Sequence, residues 1–207
     1  AIEFYDRMID RCVEYDIEPI VTLSHLEIPY ALYDIYGGWE NRYFIECFVR
    51  YAKVVLDHFQ DRVRYFITFN EINCAIHFPC VVGVGTDRSE HPTTTMYQAM
   101  HNMLVANALI IQYAKEKYPH LVIGCMTAFG PIYPLTPDPK DVFKAMRKER
   151  DNLFASDIMV NGEYPYYTES MFHELGVDFE ISEEDRKLIK ENRVDFLAMS
   201  YYNTNCE

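Results

Sequence analysis

The stretch ITFNEIN (residues 67–73) closes an apolar, β-branched run with an amide and a carboxylate, Asn70 and Glu71. With the residues before it, RVRYFITFN (62–70), it predicts a buried strand, because short runs of this composition fit a sheet that is covered on both faces. A strand that ends on two polar side chains delivers them to one edge of its sheet. The fold around this strand therefore decides what Asn70 and Glu71 can do.

The same alternation of strand and helix extends along the chain in both directions. Apolar runs predict four strands in all, and helical spacing of apolar residues predicts the helices between them. The predicted strands are 18–25, 62–70, 121–128 and 195–202, and the main predicted helices are 2–15, 41–59, 93–117, 139–160 and 182–192. Ser182 as a cap and the acidic residues after it predict the start of the last helix. This order is typical of right-handed βαβ units and a parallel sheet.

Two parallel architectures fit the alternation, an open doubly wound sheet and a (β/α)₈ barrel. A dinucleotide-binding sheet needs a Gly-rich turn directly after its first strand, and none follows residues 18–25. We therefore predict an α/β fold of the (β/α)₈ TIM-barrel type. Since such a barrel has eight strands, we expect residues 1–207 to form one incomplete domain, the central portion of a barrel with about strands 3 to 6.

Composition limits the class of partner. The net charge of −13 argues against a face for nucleic-acid phosphates. No run approaches the ~20 apolar residues of a membrane span, so we expect neither a nucleic-acid nor a membrane partner. The six cysteines contain no C-x-x-C pair and lie mostly in apolar runs. They are interpreted as reduced core thiols of a cytoplasmic protein.

Polar side chains stand where the predicted strands end, which is the functional edge of either parallel architecture. His25 ends the first strand, Asn70 and Glu71 the second, and Tyr201 with Tyr202 the fourth. A partly desolvated carboxylate suits a general acid, but from position alone Glu71 could equally cap a helix or pair with an arginine. Asn70 and Glu71 would point to opposite faces unless the strand is distorted there. His25 alone could be a core histidine bonded to the backbone.

A metal site is the weaker explanation of this cluster. His25, Glu27 and Glu71 have ligand chemistry, and H-x-E spacing can place two ligands on one side of an extended chain. No further His or Cys cluster supports them, so we expect no metal.

Other conspicuous residues have structural explanations. Trp39, in YGGWENR (36–42), is expected to pack its loop. His101 and Asn102 lie inside a long predicted helix and are expected to tie it to a neighbouring loop.

Several motifs together resemble glycoside hydrolase family 1, the β-glucosidase and 6-phospho-β-glucosidase family. In chain order the matching segments are EPIVTLSHLEIP (18–29), YGGWENR (36–42), YAKVVLDHFQDRVRYFITFNEIN (51–73), AMHNMLVANA (99–108), NGEYP (161–165) and DFLAMSYYNT (195–204). Their number and order make the signal far more specific than a lone Asn–Glu pair. The resemblance implies a (β/α)₈ barrel of retaining β-glycosidases, with residues 1–207 as part of its catalytic domain.

The resemblance implies roles for four residues. Glu71 would be the general acid/base, and Asn70 would bind the sugar 2-hydroxyl. His25 would bind another hydroxyl of the same sugar, and Tyr202 would orient the nucleophile. The family's nucleophile lies in an E-N-G motif that residues 1–207 lack, so the chain by itself is expected to be inactive. A retaining mechanism uses two carboxylates roughly 5 Å apart and implies no cofactor.

The branch of the family follows from three motifs. FNEIN, SHLEIP and MSYY resemble the 6-phospho branch, with Leu26 and Ser200 replacing the Trp and Asn of the broader family. The expected substrate is a small-molecule β-glucoside or 6-phospho-β-glucoside. An unphosphorylated β-glucosidase or β-galactosidase is one alternative. A non-catalytic sugar-binding or structural fragment is another, and its open barrel edges could support self-association.

Overall fold

The computed structural model describes all of residues 1–207. The strands are β1 (Ile20–Ser24), β2 (Tyr65–Phe69), β3 (Val122–Phe129), β4 (Ile132–Tyr133), β5 (Phe196–Tyr201) and β6 (Asn205–Cys206). The helices are α1 (Ile2–Glu14), α2 (Tyr30–Tyr36), α3 (Tyr43–Phe59), α4 (Cys74–His77), α5 (Pro92–Lys117), α6 (Pro139–Asn161), α7 (Thr168–Leu175) and α8 (Glu183–Glu191). Two short 3₁₀ helices, Pro79–Val82 and Thr86–Arg88, lie between α4 and α5.

Four strands form one parallel sheet in the order β1-β2-β3-β5. Each predicted strand is therefore hydrogen-bonded to the next one along the chain. This is the order of a barrel wall, whereas a doubly wound sheet reverses its order at a switch point. The prediction of an incomplete (β/α)₈ barrel is confirmed. The sequence reasoning missed β4 and β6, which pair with each other in a small second sheet.

Helix ends follow local chemistry. Asp138 accepts a hydrogen bond from the backbone of Lys140 at 2.8 Å and caps α6, and Gly162 ends that helix in the left-handed conformation. Ser182 caps α8 through the backbone N–H of Asp185 at 3.1 Å. The start predicted for α8 from Ser182 is thus confirmed.

Trp39 is a core residue. It is 2% exposed, and its ring contacts those of Phe44, Phe48 and Phe69 with centroids 5.4 Å apart in each case. The amide of Asn102 in α5 donates to the backbone oxygen of Trp39 at 2.8 Å. The packing role predicted for Trp39 and the helix-to-loop tie predicted for Asn102 are both confirmed.

His101, the neighbour of Asn102, makes a second tie. Its Nδ1 lies 2.7 Å from the hydroxyl of Tyr164 in the loop after α6, and its Nε2 lies 3.1 Å from Asp185 of α8. The prediction for His101 is confirmed as well.

All six cysteines are free thiols. Cys74 and Cys125 are buried, which fits the interpretation as core residues, but Cys80 and Cys206 are exposed. None of the helices is at once long enough and apolar enough to span a bilayer.

Candidate active site

The candidate residues meet at the carboxyl ends of β1, β2 and β5. Ser24 lies opposite Phe69 in the β1–β2 register, so His25 and Asn70 leave the sheet side by side. On the other side of β3, Ser200 is the partner of Ala128, and Tyr202 follows it. The parallel sheet therefore delivers all of these groups to one edge, as predicted.

β2 is distorted just before this edge. The Thr68 hydroxyl donates to Asn107 of α5 at 2.8 Å. The next side chain, Phe69, stacks on Phe48 of α3 with ring centroids 4.7 Å apart. Two consecutive side chains thus contact the helical layer, where a regular strand would alternate between faces. This departure from alternation is the kind of distortion that lets Asn70 and Glu71 share one face.

Glu71 itself has a left-handed backbone, with a φ of 44°. This conformation costs a non-glycine residue roughly 1–2 kcal/mol. Backbone hydrogen bonds hold this conformation from both sides. The backbone N–H of Asn70 donates to the Ser24 carbonyl at 2.9 Å, and the backbone N–H of Ile72 donates to the carbonyl of Met126 in β3 at 3.0 Å. The surrounding sheet therefore imposes this strained conformation on Glu71. Residues strained in this way are concentrated at functional sites.

Both oxygens of the Glu71 carboxyl group accept hydrogen bonds. The Tyr202 hydroxyl donates to Oε1 at 2.5 Å, and the Cys74 thiol donates to Oε2 at 3.7 Å. Burial raises the pKa of the Cys74 thiol to about 11, so it stays protonated. The hydrogen bond to Glu71 likewise raises the pKa of Tyr202 and keeps its phenol intact.

The structural alternatives considered for Glu71 are wrong. Its side chain forms no salt bridge with an arginine or lysine, and α4 has no side-chain cap at its N-terminus. Glu71 is only 8% exposed and is bound by uncharged donors alone. A carboxyl group in such surroundings can both release and take up a proton.

Asn70 and His25 have side chains free for a ligand. Asn70 is 7% exposed, yet its carboxamide makes no hydrogen bond within the chain, so two donors and an acceptor remain available. His25 is exposed and its ring bonds no group of the chain, so the alternative of a backbone-bonded core histidine is wrong.

Tyr202 makes a contact that the resemblance does not imply. It is expected to orient the nucleophile, and its hydroxyl here binds the other carboxyl group, Glu71. The tyrosine is 71% exposed and reaches back over the edge of the sheet.

Two contacts of this site were missed by sequence reasoning. Cys74 had been grouped with the core thiols, although its i+3 spacing from Glu71 was an available signal. Asn73 donates to and accepts from the backbone of Ala128, 55 residues away, at 2.9 Å in both bonds. No local pattern in the sequence indicates that partner.

The fold and site together define the wall of a (β/α)₈ barrel with a buried carboxyl group at its C-terminal edge. The family model of glycosyl hydrolase family 1 matches residues 1–207. The chain belongs to this family, as the motifs had indicated.

Several proteins are similar to this chain along nearly its whole length. It is 44% identical to a 6-phospho-beta-glucosidase of Clostridium longisporum, over 100% of this chain and 44% of that protein. It is 41% identical to the 6-phospho-beta-glucosidase AscB of Escherichia coli, again over 100% and 44%. A solved beta-glucosidase of Exiguobacterium marinum superposes with a TM-score of 0.85 at 26% identity, over 99% of this chain and 47% of that one. The chain thus spans less than half the length of the relatives it matches.

Proposed function

We propose that this chain is part of an enzyme that hydrolyses β-glucosidic bonds with retention, and that its substrates are 6-phospho-β-glucosides. The observation that carries the proposal is the buried carboxyl group of Glu71 beside the free carboxamide of Asn70. A retaining mechanism needs a second carboxylate roughly 5 Å away. We assign it to polypeptide outside residues 1–207, and the protein containing both is termed the complete enzyme.

In the first step, neutral Glu71 donates its proton to the glycosidic oxygen while the nucleophile attacks the anomeric carbon, and the bond between that carbon and the glycosidic oxygen breaks to release the aglycone. In the second, the ionised Glu71 takes a proton from water while the water oxygen attacks the anomeric carbon, and the bond to the nucleophile breaks to release the sugar. We assign the proton transfer to Oε1, because Oε2 faces the buried Cys74 whereas Oε1 faces the exposed Tyr202.

The neighbouring side chains would hold the sugar. Asn70 would bind the 2-hydroxyl, an interaction that strengthens in the transition state of retaining glycosidases. His25 would bind another hydroxyl of the same ring from the end of β1. Tyr202 would orient Glu71, and the nucleophile when that is present.

Glu71→Gln in the complete enzyme tests the reaction. The variant should lose hydrolysis of phenyl 6-phospho-β-glucoside, whose leaving group needs a proton. Glu27→Gln is the matched control, because Glu27 is an exposed carboxylate near the same edge. Normal hydrolysis by Glu71→Gln would refute the assignment.

The substrate class needs its own test. The names of the Clostridium longisporum and Escherichia coli relatives support a phosphorylated sugar. With a net charge of −13 on this chain, a phosphate would need a local basic pocket. Assaying 4-nitrophenyl 6-phospho-β-glucoside against 4-nitrophenyl β-glucoside should show a strong preference for the phosphorylated compound. The opposite preference would favour a plain β-glucosidase, as the name of the Exiguobacterium marinum neighbour suggests.

A third possibility concerns the 207-residue chain by itself. β1 and β5 each leave one strand edge of the main sheet unpaired, and Leu197, Met199 and Tyr201 of β5 are exposed. Such edges favour pairing with another chain. Binding of a glucoside without turnover, together with self-association in sedimentation, would indicate a sugar-binding fragment, whereas turnover would contradict it.

A cytoplasmic location is part of the proposal. Six free thiols and no disulfide fit a reducing compartment. Cell fractionation with detection of the complete enzyme tests this, and recovery outside the cytoplasm would refute it.

A further inference from the structure

The turn that carries Glu71 is fastened to β3 by a side chain. Immediately after Glu71, the backbone N–H of Ile72 donates to the Met126 carbonyl at 3.0 Å. At the next residue the side chain takes over, because Asn73 Nδ2 donates to the Ala128 carbonyl and Asn73 Oδ1 accepts from the Ala128 N–H, each at 2.9 Å. The chain has left the strand by this point, yet its pairing with β3 continues.

A carboxamide can replace a backbone rung because it offers one acceptor and a donor in the same arrangement as a peptide group. Met126 and Ala128 are two residues apart in β3, so their polar groups face the same neighbour in a parallel ladder. Asn73 is 2% exposed, which leaves little room for water to substitute for the amide. Its side chain thus extends the β2–β3 ladder one step beyond the left-handed turn.

The contact between Asn73 and Ala128 is also connected to Tyr202, through the pairing of β3 with β5. Ala128 is paired with Ser200 on its other side. Two residues further, Tyr202 returns to bind the Glu71 carboxyl group. Asn73 therefore closes a ring of contacts that runs from the Glu71 backbone across β3 and β5 and back to the Glu71 side chain.

We propose that Asn73 is a positioning residue for Glu71, because its carboxamide fixes the turn that aims the carboxyl group at the substrate. This inference rests on the acid/base role proposed for Glu71. A misplacement of about 1 Å in a reacting group can cost about 100-fold in rate. Releasing the turn from β3 should therefore weaken proton transfer without removing any group that touches the sugar.

The test uses Asn73→Ala and Asn73→Asp in the complete enzyme. The measured quantity is kcat/KM for two aryl 6-phospho-β-glucosides, one with phenol and one with 2,4-dinitrophenol as leaving group. Phenol needs a proton to leave and dinitrophenol does not, so the ratio of the two values reports proton donation. A loss of folded protein lowers both values equally and leaves the ratio unchanged.

For Asn73→Ala we expect kcat/KM to fall about 100-fold with the phenyl substrate and far less with the dinitrophenyl substrate. Asn73→Asp keeps the acceptor for the Ala128 N–H and should show a smaller change in the same direction. Asn192→Ala is the matched control, because Asn192 is also buried and donates to a backbone carbonyl, that of Leu188, at the end of α8. It should leave the ratio unchanged.

Measuring Glu71→Gln in parallel distinguishes a failure of the positioning role of Asn73 from a failure of the proposed function. If Glu71→Gln changes the ratio and both Asn73 variants leave it as in the native enzyme, the positioning role is overturned and the proposed function stands. If Glu71→Gln also leaves it unchanged, the proposed function itself fails.

Discussion

The hydroxyl of Tyr202 lies 2.5 Å from Oε1 of Glu71, although 131 residues separate the two in the chain. Oε1 is also the oxygen that we assign to proton transfer. An oxygen of a carboxyl group has more than one site for a hydrogen bond, so Tyr202 can hold Oε1 in place while that oxygen faces a glycosidic oxygen.

Tyr202→Phe should accordingly weaken proton donation by the complete enzyme. Because the hydrogen bond to Glu71 raises the pKa of Tyr202, the phenol remains a donor throughout the neutral range. Without that donor the Glu71 carboxyl group loses the hydrogen bond to Oε1, so kcat/KM should fall more with phenyl 6-phospho-β-glucoside, whose leaving group needs a proton, than with the 2,4-dinitrophenyl compound. The ratio of the two kcat/KM values measures this difference.

Tyr201→Phe serves as its control. Tyr201 is the adjacent residue, is also exposed, and makes no hydrogen bond to Glu71. Its ratio of kcat/KM values should match that of the native enzyme. A Tyr202→Phe ratio equal to the native one would mean that the contact with Glu71 has no role in proton transfer.

Asn70→Ala should remove recognition of the sugar 2-hydroxyl. That hydrogen bond contributes several kcal/mol in the transition state of retaining glycosidases, so we expect a loss of about 100-fold or more in kcat/KM. On the matching 2-deoxy 6-phospho-β-glucoside the native enzyme and the variant should react at similar rates, because the partner of Asn70 is absent. An equally large loss on the 2-deoxy substrate would contradict the assignment.

Features of the fold that depend on local sequence pattern could be predicted from the sequence. Strand and helix periodicity predicted β2 and its order in the sheet, and Ser182 predicted the start of α8. It could not predict what depends on distant backbone meeting a side chain, such as Asn73 on Ala128 or Tyr202 on Glu71. The left-handed backbone of Glu71 has the same origin, because the neighbouring strands impose it against the preference of the residue.

The next prediction concerns the dependence of folding stability on pH, and it involves His101 and Asp185. Both are buried, and the Arg42 guanidinium makes two hydrogen bonds to Asp185 at 2.6 and 2.9 Å. Burial lowers the pKa of His101 below 6.5, even though the nearby Asp185 carboxylate opposes this. Burial alone would raise the pKa of Asp185, but the hydrogen bonds from Arg42 and His101 lower it below 3.8.

These shifts act in different pH ranges. Below pH 6.5 the unfolded chain protonates His101 before the folded protein does, so stability falls as the pH falls, by at most about 1.4 kcal/mol per pH unit. The contribution of Asp185 is fully present above its unfolded pKa of 3.8 and is lost as the pH falls through its lower folded value. Of these two groups, only His101 is expected to contribute to the change in stability between roughly pH 7.5 and 5.5.

His101→Gln should therefore flatten the dependence of stability on pH in that range. The free energy of unfolding, measured by urea denaturation at about pH 7.5 and 5.5, should fall less in the variant than in the native enzyme. His173→Gln is the control, since His173 is exposed and forms no side-chain hydrogen bond. The same slope in His101→Gln and in the native enzyme would refute the contribution of this histidine.

The last prediction concerns the packing that holds β3 against β5. Gly124 pairs with Phe196, whose ring lies over the glycine, so a methyl group added at Gly124 would come within 2.3 Å of that ring. Gly124→Ala should destabilise the complete enzyme by about 1–3 kcal/mol, as overpacked sites do. Phe196→Leu shortens the side chain that would clash, so the double variant should lose less stability than the two single changes added together. Urea denaturation of the four proteins measures this difference, and strict additivity would show that the ring over Gly124 is not what forbids a side chain there.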